Sequence, residues 1–238
     1  MLTKATESEK TWYPTPIDKL DGLLKKQIRQ GHGFRHVYAL RKNISYNLQY
    51  LEYIHRSLED LKLSSVIVTQ NIKMFVIIGC SIIESLLTYL LIKSKKYSIT
   101  YWKLKIIMPG QEKYIDGKKV KIDSYIYEKL DSPQREEMTF DAMLKMAEAK
   151  KILGSNHNVY AKLKYLRKLR NKVHLQVIKD VRDTDWNSFQ SRHLYAMAQV
   201  IYYVFTSNIF RPSKKEKEYF NYLQKYIREE IDEPENFQ

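Results

Sequence analysis

MFVIIGCSIIESLLTYLLI, residues 74–92, is the stretch whose reading decides the fold class. Its apolar run is almost long enough to cross a bilayer, and Lys73 and Lys93 flank it directly. Glu84 falls near the centre, where an ionised carboxylate costs roughly 2.5–3.5 kcal/mol on insertion scales. The stretch therefore reads as the buried core helix of a helical protein rather than as a membrane span, and no membrane partner is expected.

Periodicity extends this helix to about 66–94 and places two more before it, at 17–29 and 36–63, with Gly31-His32-Gly33 as the breaker between them. After it the period changes. Trp102, Leu104, Ile106 and Met108 alternate with Lys103, Lys105 and Ile107, Asp116-Gly117 signals a hairpin turn, and Val120, Ile122, Ser124 and Ile126 alternate beyond it. Residues 101–130 thus read as a small β insertion. Helical signals resume at 140–153, with Thr139 as N-cap and Gly154 as the stop. A helix over 158–178 follows, then one capped by Thr184 or Asp185 that reaches about residue 210. Ser213 and Glu216 form a capping-box pattern that opens a last helix, 214–231. The expected fold is mainly α, an antiparallel helical bundle over 36–210 interrupted by the β insertion, with 1–35 as an N-terminal extension and 211–238 as a C-terminal helix and tail.

The 238 residues are 44% hydrophobic and 29% charged, with only 7 Gly and 6 Pro, as in an ordinary folded protein. The 41 Lys+Arg against 27 Asp+Glu leave +14, a field that attracts a polyanion, whether nucleic acid or an acidic membrane surface; a merely solvated lysine surface has the same composition. The single Cys80 excludes an intramolecular disulfide and a thiolate metal cluster, and fits a reducing, cytoplasmic location. The first residues, MLTKATESEKTWYPTP, lack the apolar core of a signal peptide.

On a helical wheel for 158–178, with Arg170 at zero and about 100° per residue, Val159, Leu163, Leu166, Val173 and Val177 fall within roughly −60° to +20°. Arg170 lies inside that core arc, with His174 near +40°, Arg167 near +60° and Asn171 near +100° by the same step of about 100°. The four polar side chains form a ledge beside an apolar stripe. An arginine facing a core needs a partner, so one explanation is a carboxylate on a neighbouring helix with His174 as a hydrogen-bonded core histidine; the other is a functional site. On the core helix Ser81, Glu84, Ser85 and Thr88 share one arc of about 100°, which makes Glu84 the natural partner of Arg167 or Arg170.

The stretch LKYLRKLRNKVHLQ, residues 163–176, resembles the signature of the HEPN superfamily. The resemblance takes in about 44–92 and 140–210. Members are all-α bundles, commonly homodimers, whose catalytic forms carry an Arg and a His separated by four to six residues, the first often polar, on one helix, and cut RNA without a metal. Arg167 to His174 fits with six intervening residues. Arg170-Asn171 fits the Arg-Asn beginning but leaves three before His174, so either arginine is open as the catalytic one. An acidic residue in an apolar helix near the centre is also common among members, and Glu84 matches it. Some toxin members have a tyrosine two residues after the histidine as a modification site; Gln176 stands there instead.

The resemblance implies a metal-independent endoribonuclease, a toxin of a toxin–antitoxin pair or an antiviral defence effector, acting as a homodimer and needing no cofactor. Its alternative is a catalytically silent module that binds RNA or protein. The residue types suit the chemistry: histidine moves the 2′-OH proton near neutrality, arginine offers a permanent planar fork for phosphate, and asparagine binds phosphate or fixes the imidazole. Lys164, Lys168 and Lys172 make the helix basic enough to track a phosphate backbone, or simply solvate it. Tyr101, Trp102, Tyr114, Tyr125 and Tyr127 in the insertion suit either stacking on unpaired bases or packing of the hairpin onto the bundle.

Overall fold

The computed structural model describes residues 12–176, 178 and 180–228. Three helices come first: α1 (Ile17–Lys25), α2 (Val37–Asp60) and α3 (Ser65–Lys93). Four strands follow, β1 (Ile99–Met108), β2 (Glu112–Ile115), β3 (Lys118–Lys121) and β4 (Ser124–Arg135). Next come α4 (Phe140–Ala149), α5 (His157–Arg170), α6 (Asp185–Ser188), α7 (Ser191–Thr206), α8 (Lys214–Lys217) and α9 (Gln224–Arg228). The protein is mainly helical with small antiparallel sheets, and the sheets lie where turn chemistry placed the insertion.

The apolar run forms the spine of the bundle. Helix α3 packs against α2, α4, α5 and α7, and Phe75, Val76, Ile83, Leu86, Leu87 and Leu91 along it are wholly buried. It is long and apolar enough to cross a membrane by length and composition, and 72% of its most apolar window is covered by the rest of the protein. A Cβ on Gly79 would lie 2.5 Å from the Met197 side chain, so the missing side chain is what lets α7 approach α3 this closely. The same core takes in Leu20, Leu23 and Leu24 of α1 and, near the other end of the chain, Phe220, Leu223 and Tyr226.

Local signals set most boundaries. The Thr139 hydroxyl accepts from the Ala142 N–H at the start of α4, and Asp116 and Gly117 both adopt positive φ in the β2–β3 turn, as a two-residue hairpin loop demands. Ser213 and Glu216 form the reciprocal capping box. Three expectations change. The helix expected to run unbroken to about residue 210 divides at extended Gln190, whose backbone N–H donates to His193 Nδ1. Its first part, α6, is held to α3 by Lys73, 2.9 Å from Asp185. The last helix passes through a 3₁₀ stretch, Glu218–Leu223, between α8 and α9; its expected end at Ile231 lies outside the described residues. The insertion is longer than 101–130, because β1 pairs with β4 from Ile99 against Arg135 to Met108 against Ser124. Its base is tied to the bundle by Arg135, which donates to the Gly33 carbonyl at 2.6 Å.

Candidate functional site

Helix α5 begins where the Asn156 side chain accepts from the Asn158 N–H, 3.0 Å, and is steadied by Tyr160, whose hydroxyl accepts from the Leu153 N–H and donates to the Gly154 carbonyl. Val159, Leu163, Leu166 and Leu169 bury its inner stripe. That stripe brings the arginines to carboxylates on two neighbouring helices. Arg170 lies 2.7 Å from Glu84 on α3, and Arg167 lies 2.8 Å from Asp141 on α4. Both ion pairs are partly open: the side chains are 37% and 24% exposed in the first, 24% and 31% in the second.

Glu84 thus partners Arg170, not Arg167. Asp141 is a site residue that the sequence reading missed; its one signal was a place in the first turn of α4, ahead of Lys145. Hydrogen bonding from Lys145, aided by the Arg167 charge, holds its carboxyl below the usual carboxylate range, so it stays ionised opposite the guanidinium. Each guanidinium spends one Nη on its carboxylate, which leaves other donors of the fork for a second oxyanion. The exception is Arg167 Nε, which is buried without a hydrogen-bond partner. The rest of the polar stripe on α3 is self-satisfied: Ser81, Ser85 and Thr88 donate to the backbone carbonyls of Ile77, Ser81 and Glu84. Cys80 beneath the Arg170 pair is buried, and burial pushes its thiol up to about 12, which removes it as a nucleophile.

The helix does not extend to residue 178. It ends at Arg170 with Asn171 as C-cap, passes through a 3₁₀ turn at Asn171–Val173, and leaves His174 in extended backbone. The cause is visible on both sides of the break. Val173, expected in the core arc, is 44% exposed because no helix covers it, and Lys172 is drawn sideways by Asp183 and by Ser188, 2.7 Å from its Nζ. Val177, also expected in that arc, lies outside the described residues. Asn171 and His174 are exposed, and their side chains make no hydrogen bond or ion pair among the described residues. The four residues of the predicted ledge therefore divide: Arg167 and Arg170 sit on the last turns of α5, fixed by acids, while Asn171 and His174 stand in solvent just beyond. Of the lysines, Lys164 pairs with Glu148 at 2.5 Å, Lys172 with Asp183, and Lys168 is exposed without an ion pair among the described residues.

On the opposite flank of α5, Tyr165 and Leu169 border a groove of about 270 Å³ shared with Arg182, Asn187, Arg192 and His193. His193, another residue the sequence reading missed, is almost wholly buried. Its Nδ1 accepts from the Gln190 N–H, so the neutral ring carries its proton on Nε2 and donates to the Tyr165 hydroxyl, 2.7 Å away. Burial, with the nearby Arg192, lowers its pKa to about 4.

Compared with known proteins, the chain matches no family model, no curated protein and no solved structure.

Proposed function

We propose that this protein is a metal-independent endoribonuclease of the HEPN type, a homodimeric toxin or antiviral defence effector whose RNA is cut at the exposed end of α5. The observation that carries the reading is the pair of carboxylate-steadied, partly open arginines at the end of α5, followed within four residues by solvent-facing Asn171 and His174. Glu84 and Asp141 orient the guanidiniums by one nitrogen each, and the remaining donors take the phosphate oxygens of RNA. Arg170 and Arg167 then stabilise the charge that develops on phosphorus while His174 takes the 2′-OH proton, and Asn171 hydrogen-bonds the phosphate. The 2′-oxygen attacks phosphorus as the 5′-oxygen leaves with a proton, giving a 2′,3′-cyclic phosphate and a 5′-hydroxyl. A single histidine supplies one proton-transfer group, so a two-fold pair of chains, each presenting His174, supplies both.

A second reading, a catalytically silent module that holds RNA or protein, is favoured by the pairing of both arginines with acids and by the departure of His174 from the helix. One experiment separates them. Wild-type protein and His174→Ala are incubated with total RNA in EDTA, and the fragments are tested for 2′,3′-cyclic phosphate ends. Cutting by wild type and not by the variant is expected; no wild-type cutting of several RNA classes, or equal cutting by both, overturns the nuclease assignment.

A further inference from the structure

The alternation in β1 and β4 predicts one buried face, and neither face is buried. Trp102, Leu104, Ile107, Tyr125 and Tyr127 are 54%, 42%, 54%, 56% and 53% exposed. The register places them together. Trp102 pairs with Lys129, Leu104 with Tyr127 and Ile107 with Tyr125, and directly paired residues share a face of an antiparallel ribbon. The other face carries the Lys105–Glu128 ion pair with Ile106, Met108 and Ile126. The first face is thus one aromatic and aliphatic strip, with an open, wholly apolar recess of about 430 Å³ between Trp102 and Tyr127. A monomer rarely leaves such a strip in water, and a two-stranded ribbon held only at its base gains little from it alone.

We infer that this strip is a stacking platform for single-stranded RNA, with unpaired bases on Trp102, Tyr127 and Tyr125. Charge selects this occupant over an apolar protein partner. Among the described residues, Lys103, Lys113, Lys118 and Lys129 on the ribbon and its tip have no ion pair. Glu112, Asp123 and Glu128 are already neutralised by Lys119, Lys121 and Lys105, which leaves Asp116 and Asp131 as the ribbon's acids without an ion pair among the described residues. Lys129 stands beside Trp102 on the strip itself, where it reaches the phosphate of a base stacked on the indole. Planar faces with flanking ammonium groups match unpaired nucleotides, whereas a duplex hides its base faces.

The inference shares its RNA ligand with the proposed function but rests on a different surface, and the test keeps the two apart. The full-length protein is titrated into a fluorescent 2′-O-methyl oligouridylate, which has no free 2′-OH to cut, and into a duplex RNA of equal length. Binding to the single strand is expected, and Trp102→Ala with Tyr127→Ala weakens it at least about tenfold, since each stacked base carries on the order of 5- to 150-fold. Trp102→Phe with Tyr127→Phe holds the affinity within about threefold, and an unchanged urea midpoint of the alanine variant rules out misfolding as the cause of its loss. Cutting of ordinary RNA is scored separately, and His174→Ala abolishes it. Wild-type affinity in the Trp102→Ala/Tyr127→Ala variant overturns the platform, and so does conversion of a dimer to a monomer by that variant at unchanged RNA affinity, which makes the strip a contact between copies. Loss of cutting with intact stacking, or the reverse, identifies which of the two readings has failed.

Discussion

Removing either member of the Arg170–Glu84 pair tests whether α3 holds the C-terminal end of α5. The contact is 2.7 Å between atoms, so the charge centres lie about 4 Å apart, worth about 4 kcal/mol at an effective dielectric near 20. Solvent reaches 37% of Arg170 and 24% of Glu84, which places the pair between an exposed one, about 0–1 kcal/mol, and a buried one whose breakage costs about 3–5 kcal/mol. The expected coupling is about 1–2 kcal/mol. Arg170→Gln and Glu84→Gln each lower the urea-unfolding free energy by about that much, and the double variant costs less than their sum by the coupling energy. The coupling shrinks in 1 M salt, because the pair is only half sheltered. A coupling below about 0.3 kcal/mol would refute the reasoning: Arg170 would then be held by something other than Glu84.

Three further outcomes follow from buried groups. His193 and His55 are held neutral with pKa values of about 4, for both chiefly by burial, so their contribution is intact above pH 6.5 and is lost as pH falls toward 4. Urea titrations at pH 7 and pH 5 should differ by about 2 kcal/mol per ring, and His193→Gln should remove one ring's share of that slope. Gly79→Ala drives a methyl into buried Met197 and should destabilise by about 1–3 kcal/mol despite the better helix propensity of alanine, with Met197→Ala relieving part of the cost. The Cys80 thiol, pushed up to about 12 by burial, should react with a thiol reagent only as fast as the bundle unfolds, measured against the free thiol in urea.

The bundle was legible because its signals are local. A long apolar run with Glu84 near its middle reads as the centre of a helical bundle, and Thr139, Ser213 and the Asp116-Gly117 turn act on backbone groups within a few residues. The end of α5 was illegible for the opposite reason. Val173 continues the apolar period, but a period forms a helix only where a neighbour covers it, and Leu169 is the last residue of α5 that is covered. The site was half legible: the Glu84 pairing followed from an acid stranded in an apolar helix, whereas Asp141, an ordinary first-turn acid, and His193, a lone histidine in an apolar helix, carry no local mark of the partners they meet.

The distribution of unpaired charge ties the two proposals into a sequence of contacts. Around α5 several cations are neutralised locally, Arg167 by Asp141, Arg170 by Glu84, Lys164 by Glu148 and Lys172 by Asp183, while Lys168 has no ion pair among the described residues. Among the described residues, Lys103, Lys113, Lys118 and Lys129 of the ribbon have no ion pair and stand around exposed rings. On the proposed reading the ribbon takes a polyanion without an ion pair being broken. Phosphate reaches the arginines of α5 only by sharing or displacing a carboxylate. On the proposed reading this order favours RNA already held elsewhere on the protein, because tethering raises the local phosphate concentration at α5 enough to compete with Glu84 and Asp141. The ribbon variants should accordingly raise the RNA concentration needed for half-maximal cutting, while Glu84→Gln, which frees the Arg170 fork, should lower it.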